Sequence, residues 1–146
     1  MIDTSGRWWK GSDPGDIAEY LKLLIQQDAA ETPHKYRSVL CACGGEVFNV
    51  RFDRSEGFSE RRCTACGSTV HMLDSAESLK DARPKKWRCQ GCRGTQCNLG
   101  VWFSMVDADT VRWVYIGSRC TQCGTLGCYV DWKVMYGPSR DLLDAV

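Results

Sequence analysis

Eight of the ten cysteines in this 146-residue chain stand in four close pairs. They are Cys41-Ala42-Cys43, Cys63-Thr64-Ala65-Cys66, Cys89-Gln90-Gly91-Cys92 and Cys120-Thr121-Gln122-Cys123. Two thiolates one or two residues apart can reach one cation from a single tight turn. Two such pairs joined by a hairpin supply four sulfurs at ~2.3 Å in tetrahedral geometry, the ligand set of structural zinc. The spacing predicts two zinc ions, one on Cys41, Cys43, Cys63 and Cys66, the other on Cys89, Cys92, Cys120 and Cys123. Four protein ligands leave no position for water or substrate, so such ions are expected to hold the fold rather than to catalyse. Gly44, Gly67 and Gly124 each follow the second cysteine of a pair, where a turning backbone favours positive φ. Arg93 holds that place in the remaining pair, with Gly94 after it.

The other chemically capable residues are few. Cys97 and Cys128 each lie five positions after a paired cysteine. They read as buried thiols, neighbours on adjacent strands, with a redox pair as the alternative role. His34 precedes the strand leading into the first pair and is not expected to replace Cys41 as a ligand; His71 reads as a sheet-face residue. Asp107 and Asp109 flank a turn and are expected to be solvated. No nucleophile motif, phosphate-cradling loop or paired acidic motif is present, so no enzyme is expected.

The elements that must position the cysteines are mostly strands. Residues 46–52 alternate, with Phe48, Val50 and Phe52 on one face. A turn at 53–57 returns the chain toward Arg62. Residues 99–106 and 110–118 flank a hairpin turn at 107–109, and 126–136 reads as a further strand. Ahead of these lies a helix: Asp13 can cap it, Pro14 suits its first position, and Ile17, Tyr20, Leu21, Leu24 and Ile25 form an apolar stripe to about residue 28. Residues 76–83 read as a linker with one helical turn, and Ser139 as the cap of a short C-terminal helix.

The cysteine segments repeat. Residues 62–68 (Arg-Cys-Thr-Ala-Cys-Gly-Ser) return 57 positions later as 119–125 (Arg-Cys-Thr-Gln-Cys-Gly-Thr), and Asp74 returns as Asp131. Cys43, Gly45, Asn49 and Val50 fall against Cys92, Gly94, Asn98 and Leu99, 49 positions on. The second copy is thus longer by eight residues between its pairs. The chain divides into an N-terminal helical segment (1–36), a first cysteine unit with linker (37–82), a second unit (83–137) and a tail (138–146). Over residues 38–74 and 86–133 it resembles the zinc-ribbon fold group. That resemblance implies a small β-rich, metal-stabilised fold of two tandem ribbons, each a hairpin or three-stranded sheet. It implies no single function, and Cys41-Ala42-Cys43 is one residue shorter than the usual knuckle.

Composition sets further limits. Residues 1–9 lack the apolar core of a signal peptide and no run is suited to span a bilayer, so a cytoplasmic, non-membrane protein is expected, with reduced thiols that bind metal before they pair. Net charge is only +1, yet residues 83–120 carry seven Lys or Arg against two acids. Two binding roles follow. The first is a protein partner, in an adaptor, complex subunit or immunity-type inhibitor, recognised through the many aromatic residues. The alternative is nucleic acid, bound by the basic segment 83–93 through Arg83, Lys85, Lys86, Arg88 and Arg93 with Trp87 stacking on a base. No small-molecule substrate is indicated.

Overall fold

The computed structural model describes residues 1–29 and 33–146. Its elements are β1 (Ile2–Asp3), β2 (Lys10–Gly11), α1 (Asp16–Ala29), β3 (His34–Ser38), β4 (Phe48–Asp53), β5 (Phe58–Cys63), β6 (Thr69–His71), β7 (Lys85–Lys86), β8 (Cys97–Met105), β9 (Val111–Cys120) and β10 (Leu126–Lys133). Short 3-10 turns occupy Ser75–Ser78 and Arg140–Asp144. No helix among the described residues is long and apolar enough to cross a membrane.

The repeat folds as a reciprocal exchange. Instead of two separate small sheets, eight strands join in the order β10-β9-β8-β4-β5-β6, with β3 added to β8 and β7 to β4. Phe48 pairs with Cys97, its own repeat equivalent, so a pseudo-two-fold axis passes between them. The strand leading into each cysteine turn pairs with the other copy. The Val39 N–H donates to the Leu99 carbonyl at 3.1 Å, and the Trp87 N–H to the Val50 carbonyl at 2.8 Å. These bonds are equivalent once the missing residue of Cys41-Ala42-Cys43 is counted. Side chains repeat the exchange: Asn49 Nδ2 donates to the Thr95 carbonyl at 3.0 Å, and Asn98 Nδ2 to the Glu46 carbonyl at 2.7 Å. A lone hairpin would leave unpaired edges and too little buried surface; exchange supplies both pairing and burial.

The two halves of the sheet face each other across one core. Phe48, Val50, Met72 and Trp87 from one side of the junction meet Val101, Phe103, Val114 and Val130 from the other. Phe52 packs edge-on to Tyr129 at 5.1 Å, and the Tyr129 hydroxyl meets Ser59 Oγ at 2.8 Å. The repeated aspartates each accept an indole N–H: Asp74 from Trp132 at 3.0 Å, Asp131 from Trp113 at 2.8 Å.

On the opposite face of β8 and β9 lies α1. Asp13 Oδ1 accepts the Gly15 N–H at 2.7 Å, which caps the helix start as its sequence predicts. Ile17, Leu21 and Ile25 are buried with Trp102 and Leu126. Two glycines paired across β8 and β9 make a saddle, with Ile17 and Leu21 of the helix over Gly117 and the Tyr36 ring over Gly100. A Cβ on Gly117 would stand 2.8 Å from Ile17 Cγ2, and one on Gly100 would run into the Tyr36 ring. The saddle is narrow, so Leu24, expected in the buried stripe, is 45% exposed. Ser139 makes no side-chain cap; its Oγ instead accepts the Val111 N–H at 2.8 Å, tying the tail to β9.

Candidate metal centres and a basic groove

The strand ends carry the eight paired cysteines into two clusters. Cys41, Cys43, Cys63 and Cys66 form one, Cys89, Cys92, Cys120 and Cys123 the other, with the sulfurs of each set all within 4.8 Å. The closest approaches are Cys41–Cys66 at 3.5 Å, Cys43–Cys63 at 3.6 Å, Cys89–Cys123 at 3.5 Å and Cys92–Cys120 at 3.5 Å, with every thiol free. Both clusters are set by the same backbone bonds. The Gly67 N–H closes onto the Cys63 carbonyl and the Gly124 N–H onto that of Cys120; the Thr64 and Thr121 N–H groups bond the Val47 and Gln96 carbonyls. Arg93 takes φ +67 at the place where Gly44 takes φ +90, so the longer second turn holds a side chain in the left-handed region. Cys41 therefore joins its cluster despite the shortened turn.

The surroundings suit a cation among the sulfurs. The Ser68 hydroxyl, 3.4 Å from Cys41 Sγ, leads the contacts that draw this thiol down to about 6. Burial opposes ionisation of Cys123, but the Thr125 hydroxyl at 3.0 Å, the Thr125 N–H and the Cys89 and Cys92 thiols together overcome it and the thiol falls to about 6. The crowded sulfurs do not ionise together: the Gly45 N–H favours the Cys43 thiolate, yet neighbouring Cys41 and Cys63 push that thiol up to about 12. A shared cation removes this conflict. Arg61 points the same way. It is 6% exposed, lies 5.1 Å over the Phe48 ring and donates Nη2 to the main-chain oxygen of Val146, the last residue, at 2.8 Å. Among the described residues its Nε and Nη1 have no hydrogen-bond partner of good geometry. Burial works against its charge, and the sulfurs of Cys41, Cys63 and Cys66 support it. A buried guanidinium with unpaired N–H groups calls for adjacent negative charge, which four thiolates around a dication supply. Position 118, the repeat equivalent of Arg61, is Ser118, so pattern alone did not single it out. Ser68 and Thr125, by contrast, belong to the repeated segments.

Cys97 and Cys128 are not neighbours. Cys97 is buried in the core between the sheet halves, whereas Cys128 packs on the α1 side, and β9 separates their strands. A bulge between Cys128 and Val130 shifts the face of β10 there. Burial raises both thiols, Cys128 to about 12 and Cys97 further. His34 is remote from the first cluster and stacks on Trp102 at 4.1 Å. His71 bonds Glu60 at 3.1 Å.

The basic segment is part of the sheet rather than a loose linker. Through β7 it runs along β4, and Lys85, Lys86, Arg88 and Arg93 line a groove of about 450 Å³ with Arg54 from the first copy. Among the described residues no carboxylate lines it. Arg83 stays outside, its backbone N–H donating to Asp53 Oδ2 at 2.8 Å. Trp87, expected as a stacking ring, is 7% exposed and belongs to the core, because Val50 and Phe52 need a cover on that side. No family model, curated protein or solved structure matches this chain.

Proposed function

We propose that the chain is a zinc-binding, non-catalytic interaction module, built on two fused zinc ribbons, that binds a protein partner in the cytoplasm. Zinc fits the donor set: four thiolates at ~2.3 Å need sulfur–sulfur edges of about 3.8 Å, and the closest pairs stand at 3.5 to 3.6 Å. Iron accepts the same tetrahedral sulfur set, so metal analysis with a visible spectrum separates the two, zinc being colourless. A closed four-thiolate ion orders the chain and offers no position to a substrate, which supports a binding role.

The observation that carries the protein-binding reading is the outer face of α1. With its inner face docked on the glycine saddle, the helix still presents Leu23 and Leu24 at 40% and 45% exposure beside Trp9 at 37%. Apolar side chains gathered on a small domain's surface mark an interface. The nucleic-acid alternative is favoured by the groove without carboxylates, and is weakened by the burial of Trp87. Co-purification from the native cell, with and without nuclease, separates the readings: a stoichiometric protein that survives nuclease is expected. Recovery only of nucleic acid overturns the proposal.

A further inference from the structure

The apolar patch and the basic groove are one surface. The pocket of about 240 Å³ between Trp9 and Leu24 shares Trp8, Tyr20 and Leu126 with the groove that Lys86 and Arg88 line. Trp9 stands edge-on to Tyr20 at 6.1 Å and Arg7 lies 5.0 Å over Trp8, so the shared wall is aromatic. Of the five groove cations, Arg54 has an acidic partner, Asp131, at 3.9 Å; among the described residues Lys85, Lys86, Arg88 and Arg93 pair with no carboxylate. Thiolate charge in the second cluster offsets part of this field, Cys89 itself lining the groove. It does not account for Arg54 and Lys85, which come from or pack against the other copy, Lys85 lying 5.3 Å over the Phe52 ring.

We propose that this continuous face binds an acidic protein segment, with large apolar side chains seated between Trp9 and Leu24 and carboxylates laid along Lys85, Lys86, Arg88 and Arg93. The inference rests on the protein-binding reading and specifies the partner's chemistry. Charge complementarity selects an acidic occupant. Phosphates would use the cations but leave the leucine pocket idle, and the one indole on the β7 ridge is buried. A second copy docked about a two-fold axis would set these cations against their own equivalents.

The test is fluorescence anisotropy with a labelled helical peptide of Glu with Leu and Trp at helical spacing. Its Gln-for-Glu analogue, its Ser-for-Leu/Trp analogue and an oligo-dT of equal charge serve as comparators. The expected result is binding to the first peptide that weakens with salt, and about ten-fold or greater loss for each peptide analogue. The same loss is expected for Lys86→Glu/Arg88→Glu and for Leu23→Ser/Leu24→Ser. All four positions are exposed, and metal content and melting are measured for each variant, so that only variants retaining both are compared; Lys85→Glu, farther from Cys89, replaces the Lys86/Arg88 variant if that loses metal. Tighter binding of oligo-dT, lost in the Glu variant and kept in the Ser variant, overturns the proposal in favour of nucleic acid. A dimer in sedimentation that the Ser variant dissociates overturns it in favour of a second copy. If no probe binds, or a nuclease-resistant native partner is retained by both variants, this surface is wrong while the broader protein-binding reading survives. If no such native partner exists, the broader reading fails.

Discussion

Asn49 and Asn98 are equivalent in the repeat, yet removing them should have unequal cost. Asn98 is 4% exposed; its Nδ2 donates to the Glu46 carbonyl at 2.7 Å and its Oδ1 accepts Arg119 Nη1 at 3.0 Å. Asn98→Ala deletes two hydrogen bonds, one of them to a charged group, and leaves the Glu46 carbonyl without this donor at the junction of the sheet halves. At about 1 kcal/mol for a neutral bond, with more for the charged one, the loss should be about 2–3 kcal/mol. Arg119 limits it, because its Nε and Nη2 remain bound to the Gly11 and Ser12 carbonyls at 2.8 and 3.1 Å. Asn49 is exposed and makes one bond, to the Thr95 carbonyl at 3.0 Å, so Asn49→Ala should cost about 1 kcal/mol or less. Urea unfolding of metal-loaded protein, with m held equal among variants, measures both. Equal losses, or an Asn98→Ala loss below about 0.5 kcal/mol, would refute the view that buried exchange across the pseudo-two-fold joins the two copies.

Cys120→Ser should remove one metal and destabilise the whole chain, since both copies share a core; hydrogen exchange that weakens in the second copy alone would contradict this. Arg61→Met should weaken metal retention in the first cluster by about ten-fold or more while sparing the second, as loss of an outer partner does; a two-phase chelator competition reads it, and equal change in both phases refutes it. Gly117→Val should undock α1, at about 1–3 kcal/mol for an overpacked contact, visible as lost protection over 17–25 with both metals retained. Cys128 is raised to about 12 and Cys97 further by burial. A raised pKa lowers the thiolate fraction at every pH below it, so at pH 8 neither should be alkylated in the folded, metal-loaded protein; mass spectrometry after iodoacetamide checks this.

The two four-cysteine clusters were legible because the spacing of each close pair is a local property that the chain must encode in one turn. The helix start was legible for the same reason, Asp13 and Pro14 acting within one turn. What local pattern did not carry was the partner of each strand. The sequence predicts a strand after His34, leading into the first cysteine pair, but β3 begins at His34 itself, and no alternation in His-Lys-Tyr-Arg-Ser announces its bounds or its partner. Its pairing is set by the open edge of β8, which belongs to the other copy. Trp87 was misread as free by its basic neighbours; the edge of β4 that it covers lies more than thirty residues away. Cys128 changed face because a bulge puts both Tyr129 and Val130 into the same core, which defeats a period-two reading.

Divergence between the copies separates the two flanks of the β7 ridge. Where β8 and β9 pair Gly100 with Gly117, β4 and β5 pair Arg51 with Glu60, held by an ion pair at 3.5 Å. The glycines make a saddle that the chain's own helix fills over Gly117 and Tyr36 of β3 fills over Gly100. The equivalent place in the first copy is too bulky and too charged to seat a second apolar helix, and it stays open, lined by Arg51, Arg62, Lys86 and Arg88 in a groove of about 610 Å³. The β7 ridge therefore has cations on both flanks, with Glu60 on one flank alone. An acidic segment can enter from either side only if it brings carboxylates, but the apolar anchor is present only on the α1 side. Grafting the saddle by Arg51→Gly and Glu60→Gly should thus leave binding at the Trp9–Leu24 pocket intact while removing the ion pair. Loss of peptide affinity in that double variant, with both metals retained, would place the partner on the other flank and refute the orientation argued for the complex.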